Sequence, residues 1–215
     1  MKARFYPVVL SLACGLAAGS AVLAAEATAP TPHAFVDPAD PAVAEIRMIG
    51  ERALDHSGSA LVVEVRRVMA DHTAALAIGK LHLKDYKLPP AQPGKPAVTA
   101  IRRTSLQVRN PANAPDAPDL AALEMIQGQL ERGDEVSKVL VQRVTLPGQQ
   151  PEWRVYRPMV TLKQCLDCHG PPATLAPGVA DTLKVFYPAD QALNFRTGSW
   201  RGLIRASIAD TPRKP

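Results

Sequence analysis

The chain has 215 residues, 47% of them hydrophobic and 21% charged, a composition that excludes a disordered or fibrous protein and leaves length for one well-filled domain. The formal net charge is +5, with Lys2 and Arg4 contributing two of it; that balance, without a dense Lys/Arg run, excludes nucleic acid as a partner. The 21 prolines are about twice the usual share and gather around 28–41, 89–96, 111–118 and 171–177, which marks rigid connecting loops.

In chain order, Met1-Lys2-Ala3-Arg4 is a short basic region and Val8–Ala25 a small, apolar run. The pattern predicts a signal peptide over residues 1–25, cleaved near Ala25, and export to the periplasm. An uncleaved anchor is the alternative, because the run approaches the ~18 residues that span a bilayer; Gly15, Gly19 and Ser20 dilute it. Cys14 follows Ser11-Leu12-Ala13, a poor lipidation box, and reads as part of the leader.

Residues 26–41 read as a Pro/Ala-rich linker and 42–211 as the domain. From Pro41 to Lys87 apolar residues recur at helical spacing, with a break or kink expected at Ser57-Gly58-Ser59. A strand is predicted over Ala97–Val108, then an Asn/Pro loop over 109–118. A helix follows over Asp119–Arg132, with Leu120, Leu123, Ile126 and Leu130 as its apolar face and Gly133 beyond its end. Two strands, Val136–Leu146 and Trp153–Val160, flank a turn at Pro147-Gly148-Gln149-Gln150. Leu183–Tyr187 is ambiguous, and Ser199–Ala209 is a last strand. The order predicts an α+β fold with a mainly antiparallel sheet.

Between the last two strands stands Cys165-Leu166-Asp167-Cys168-His169, a CxxCH box on a short helix. Two thiols at this spacing can each join a haem vinyl group, and the adjacent histidine can ligate the iron, so the box predicts one covalent haem c attached to Cys165 and Cys168 with His169 as axial ligand. Such attachment occurs outside the cytoplasm and needs the cytochrome c maturation machinery, so the leader and the box support each other. Once the leader is removed, these are the only cysteines. Three rivals remain at this stage. A zinc site needs four ligands, and the other histidines outside the box (His33, His56, His72, His82) lack the short pairing. A thioredoxin-type dithiol would follow a strand such as Pro158–Leu162. A simple disulfide is the third.

Three blocks carry a family resemblance. They are Arg103-Thr104-Ser105-Leu106 with Arg109-Asn110-Pro111-Ala112-Asn113-Ala114-Pro115-Asp116, Cys165–Gly170, and Tyr187-Pro188-Ala189-Asp190-Gln191-Ala192 followed by Trp200-Arg201-Gly202-Leu203-Ile204. Over roughly residues 45–209 they resemble a family of exported c-type haem domains with a PAS-like fold, found singly and as sensor units. The resemblance implies a long N-terminal helical segment, a PAS-like sheet, haem on Cys165 and Cys168 with His169 on the iron, and electron transfer or sensing as the role. The chain departs from the family pattern at Gly79, where family members commonly carry a cysteine able to reach the far side of the iron. It departs again at Asn194-Phe195, where Gly-Tyr is usual, and at Ser199, where Asp is frequent.

The sixth iron position is therefore open to His82, to an external ligand, to His72 or to Met69, in that order. Arg103 and Arg109 are candidate contacts for the haem propionates, with Arg196, Arg201 and Arg205 equally available by chemistry. Leu175, Phe186, Tyr187 and Trp153 are candidates for the porphyrin wall or for ordinary core. The functional expectation is a periplasmic mono-haem c-type cytochrome whose partner is a redox protein. The alternatives are a haem-based gas or redox sensor acting in trans on a membrane signalling protein, and a small exported peroxidase.

Overall fold

The computed structural model describes residues 33–81 and 86–212. Its centre is a five-stranded antiparallel sheet. In chain order the elements are β1 (His33–Val36), α1 (Ala44–Asp71), α2 (Ala74–Leu81), β2 (Pro96–Thr104), α3 (Ala117–Arg132), β3 (Leu140–Val144), β4 (Glu152–Val160), α4 (Leu166–His169), α5 (Val179–Phe186) and β5 (Trp200–Pro212). The strands lie in the order β1-β3-β4-β5-β2, so β4 is the middle strand and β5 pairs with both β4 and the edge strand β2. This is an α+β architecture consistent with a PAS-like fold.

Strand alternation gives the sheet two different faces. One carries Ile101, Val141, Val155, Ile204, Ala206 and Ile208, which pack under Ile46, Ala53 and Leu54 of α1. The other carries Leu140, Tyr156 and Leu203, which pack under Ala122, Leu123 and Ile126 of α3. Between this second face and α3 lies a buried ionic cluster. Asp119 accepts from Arg205 Nη1 at 2.8 Å, from Arg154 Nη1 at 3.1 Å and from the Tyr156 hydroxyl at 3.1 Å.

Helix starts and stops follow local chemistry. Asp116 caps α3 by accepting from Asp119 N, and Gly133 ends it at a φ of 72°. The cap places the start of α3 two residues before the expected Asp119. The helix also rotates relative to the expected face: Ala122 is buried, whereas Leu120 and Leu130 are exposed. The charge cluster at Asp119 turns that side of the helix toward the sheet.

Two further expectations are corrected and one ambiguity is resolved. α1 runs unbroken for 28 residues through Ser57-Gly58-Ser59. One helical glycine costs only about 1 kcal/mol, which the packing of α1 on the sheet outweighs. The break comes instead at His72, whose backbone is extended; Thr73 then starts α2, its hydroxyl accepting from Leu76 N at 3.4 Å. The expected 26–41 linker contains an edge strand, since β1 pairs with β3 from His33↔Val144 to Val36↔Val141. In the ambiguous segment, 183–186 is the end of helix α5 and Tyr187 is its C-cap.

Candidate functional site

The C-terminal half of α1, together with α2, stands away from the sheet and roofs a cavity of about 1010 Å³. Leu61, Val65 and Met69 line it from α1, Ala77, Ile78 and Leu81 from α2, and Ile101, Arg103 and Met159 from the sheet. At one end, Cys165, Cys168 and His169 share the wall with Tyr187 and Arg201. The two thiols and the histidine of the CxxCH box thus face one space with an apolar roof.

The box is held by an unusual number of backbone ties. It begins with a 3-10 turn at Lys163–Cys165 and continues as the single turn of α4. Four consecutive carbonyls are each met by a different donor. Asp167 O accepts from Ala176 N at 3.0 Å, Cys168 O from Arg109 Nη2 at 2.6 Å, His169 O from Phe195 N at 2.9 Å, and Gly170 O from Asn194 N at 3.0 Å. A turn this short has no cooperative helical stability of its own, so these contacts fix its shape.

His169 is fixed as closely. Its Nδ1 lies 2.8 Å from the carbonyl of Ala192. A carbonyl can only accept, so Nδ1 carries the proton and Nε2 presents its lone pair. Burial, reinforced by the charges of Arg109 and Arg201, pushes the imidazole down to about 3 and keeps it neutral. Phe195 stands edge-on to the ring at 6.2 Å. Cys165 and Cys168 are free thiols, and burial pushes Cys168 up while Arg109 pulls it down.

The arginines divide between two roles. Arg109 was expected to meet a propionate, but its Nε and Nη2 are committed to Asp190 at 3.1 and 2.9 Å and to the carbonyls of Cys168 and Ala192. Arg205 lies on the other face of the sheet in the Asp119 cluster, so it is not available to the cavity. Arg103 lies 5.9 Å from the Tyr86 ring centroid, and Arg201 lies 5.1 Å from that of Phe195. Arg201 donates to the Ser105 hydroxyl and the Gln107 carbonyl; burial, with Arg109 and Arg103 nearby, pushes it down to about 10. Arg103 and Arg201 line the cavity, as does the committed Arg109.

Three buried hydroxyls on the cavity wall, Ser57 Oγ, Tyr86 Oη and Thr161 Oγ1, have no hydrogen-bond partner among the described residues. Orphaned donors beside two cations mark a wall shaped for a large, partly anionic group. No spacing in the sequence singled out Ser57 or Thr161. The alternation of β2, which puts Arg103 on the same face as Ile101, was the available signal for Arg103.

The expected axial candidates fall apart in space. Met69 lines the cavity, whereas His72 ends α1 outside its lining. His82 lies outside the described residues. Gly79 is not on the cavity wall either; a Cβ there would meet Phe186 of α5 at 3.2 Å. Tyr187 lines the cavity and Leu175 packs on the cluster beside it. Trp153 is ordinary core, packed under α1, with Arg143 5.8 Å from its ring centroid. Among the described residues no group of three or more His, Cys, Asp or Glu side chains could hold a metal ion, and no helix is long and apolar enough to cross a membrane.

A central antiparallel sheet with one helix-roofed cavity, and a CxxCH turn in that cavity's wall, defines the class of protein. A family model described as Tll0287-like matches residues 61–209, more than half of the chain, and the chain belongs to this Tll0287-like family. Among solved structures, the crystal structure of the cyanobacterial heme-protein Tll0287 matches at 23% identity with a TM-score of 0.40. The match covers 53% of this chain and 63% of that one. No curated protein matches.

Proposed function

We infer that the chain is a periplasmic mono-haem c-type cytochrome domain that serves electron transfer or redox sensing. The observation that carries this reading is the state of His169: Nδ1 is tied to the Ala192 carbonyl at 2.8 Å, and the neutral ring leaves Nε2 as a ready ligand on the wall that holds both thiols. Family membership supports it, because the protein from which the family takes its description is titled a heme-protein.

The residues fit the group. Cys165 and Cys168 would hold the porphyrin edge and His169 the iron, while Leu61, Val65 and Ile78 exclude water from its surroundings. Arg103 and Arg201, with the orphaned Tyr86 hydroxyl, would take the two propionates. Bound there, the haem supplies a one-electron couple. A redox protein, or a membrane signalling protein in the sensing role, would be the partner.

The test is expression of the full chain with the cytochrome c maturation machinery. The exported protein is expected to be red and to keep its haem on the polypeptide after denaturation, and C165S/C168S to lose it. A colourless protein with free or bridged thiols would overturn the reading.

A further inference from the structure

Arg109 lines the cavity with Arg103 and Arg201, but its side chain is turned to the protein around the CxxCH box rather than left for a propionate. Arg109 and Asp190 are nearly buried, with side chains 11% and 8% exposed. Asp190 Oδ1 accepts both from Arg109 Nε at 3.1 Å and from Ala192 N at 2.8 Å. Arg109 Nη2, whose two N–H groups meet Cys168 O at 2.6 Å and Asp190 Oδ2 at 2.9 Å, also lies 3.1 Å from the Ala192 carbonyl, which takes a shared N–H. That carbonyl is the acceptor for His169 Nδ1 at 2.8 Å. One oxygen therefore receives a guanidinium N–H and the imidazole N–H of the candidate iron ligand.

We propose that Arg109 is a positioning residue that raises the reduction potential of the haem iron through the Ala192 carbonyl it shares with His169. The inference rests on the haem reading above. A carbonyl has two lone pairs, and a charged donor on one of them draws electron density from the other. The imidazole N–H then meets a weaker acceptor. Acceptors at Nδ1 raise the basicity of the ligating nitrogen, so weakening that acceptor makes Nε2 a poorer electron donor. A poorer donor favours ferrous over ferric iron. The positive charge of Arg109 acts in the same direction, and Asp190 opposes it by neutralising the guanidinium.

The opposed effects of Arg109 and Asp190 make tuning separable from a structural clamp. R109Q and D190N break the same ion pair, so a purely structural clamp moves both variants the same way. Tuning moves them in opposite directions. In the matured full-length protein, with the electron supplied by a chemical titrant, R109Q is expected to shift the one-electron ferric/ferrous equilibrium at least tenfold toward ferric, about 59 mV. D190N is expected to shift it toward ferrous. The His169 Nδ1 proton resonance of the ferrous protein is expected to move in opposite directions in the two variants.

Equal or absent potential shifts overturn the proposal. So does a potential shift with a stationary His169 proton, which marks through-space charge rather than the shared carbonyl. If R109Q loses its haem while the parent keeps it, R109K decides: it retains the charge but not the fork, and tuning requires a potential lower than the parent's. Loss of haem in both Arg109 variants assigns the clamp to attachment and also overturns the proposal. A colourless parent protein instead refutes the haem reading, so the two failures are distinct.

Discussion

Gly50 of α1 lies directly against Val155 of β4: a Cβ at position 50 would fall 2.5 Å from both the Cβ and Cγ2 of Val155. The helix crosses the sheet there at a distance that only a hydrogen side chain allows. Gly50→Ala is expected to destabilise by about 1–3 kcal/mol, because overpacking outweighs the helix propensity gained. Gly58, in the same helix, has nothing within 4 Å of its Cβ position. Gly58→Ala is expected to raise stability, by up to about 1 kcal/mol. Thermal unfolding of the two variants against the parent reads both signs; a neutral Gly50→Ala would mean that the helix stands off the sheet.

Asn194 has a φ of 66°, the only positive value among the described non-glycine residues. The turn there points Asn194 N at Gly170 O and Phe195 N at His169 O, so the left-handed residue aims the chain back at the CxxCH box. Asparagine is among the few residues that tolerate this region. Asn194→Gly is expected to be neutral within about 0.5 kcal/mol. Asn194→Ala is expected to cost about 1–2 kcal/mol, the penalty for a Cβ in a left-handed residue, and to lower Tm by about 2–4 °C per kcal/mol. Equal melting temperatures for the two variants would count against a strained turn.

This position also shows what the sequence could reveal. The resemblance marked Asn194 as a departure from Gly, and the structure gives the reason for the permitted exchange. Ser199 is similar: its hydroxyl accepts from Arg196 N at 3.0 Å, a contact that an aspartate oxygen could make equally well. The CxxCH box, α3 and the four strands β2 to β5 were legible because their signals are local. The Arg109–Asp190 pair was not, because 81 residues separate its members and only the docking of the 190–195 segment brings them together. Arg205 misled for a related reason. Its alternation with Leu203 and Ser207 was visible, but which face of β5 the cavity occupies is decided by α1 and α3. The short β1 was hidden among prolines, since four residues carry too little periodicity to reveal a strand.

His72 was a candidate iron ligand on helical spacing, counted as though α1 continued. The helix instead stops there, with a φ of −140° and ψ of 153°. His72→Ala is therefore expected to leave the absorption spectrum, the potential and the carbon monoxide response of the matured protein unchanged. A spectral change would place an imidazole from this turn on the iron. His82→Ala, measured alongside it, is expected to change the spectrum only if that imidazole is a ligand.

Asp116 links the cap of α3 to the ionic cluster beneath it, accepting from Asp119 N at 2.9 Å and from Arg154 Nη1 at 2.7 Å. Burial works to raise its carboxyl, but the Arg154 hydrogen bond, the Asp119 amide and the charges of Arg154 and Arg205 hold it below the ordinary value. A carboxylate depressed in the folded state stabilises fully above its unfolded value of about 3.9, and the contribution is lost as pH falls through the lower folded value. The parent's urea midpoint should therefore lose this contribution below about pH 4. Asp116→Asn keeps the capping oxygen but not the charge, so it is expected to be less stable at pH 7 and to lose less between pH 5 and pH 3. Asp116→Ala also loses the cap, at a further cost of about 1 kcal/mol. Urea unfolding at the three pH values separates the two terms; parallel pH curves for parent and Asp116→Asn would show that the charge of Asp116 contributes nothing to the acid limb.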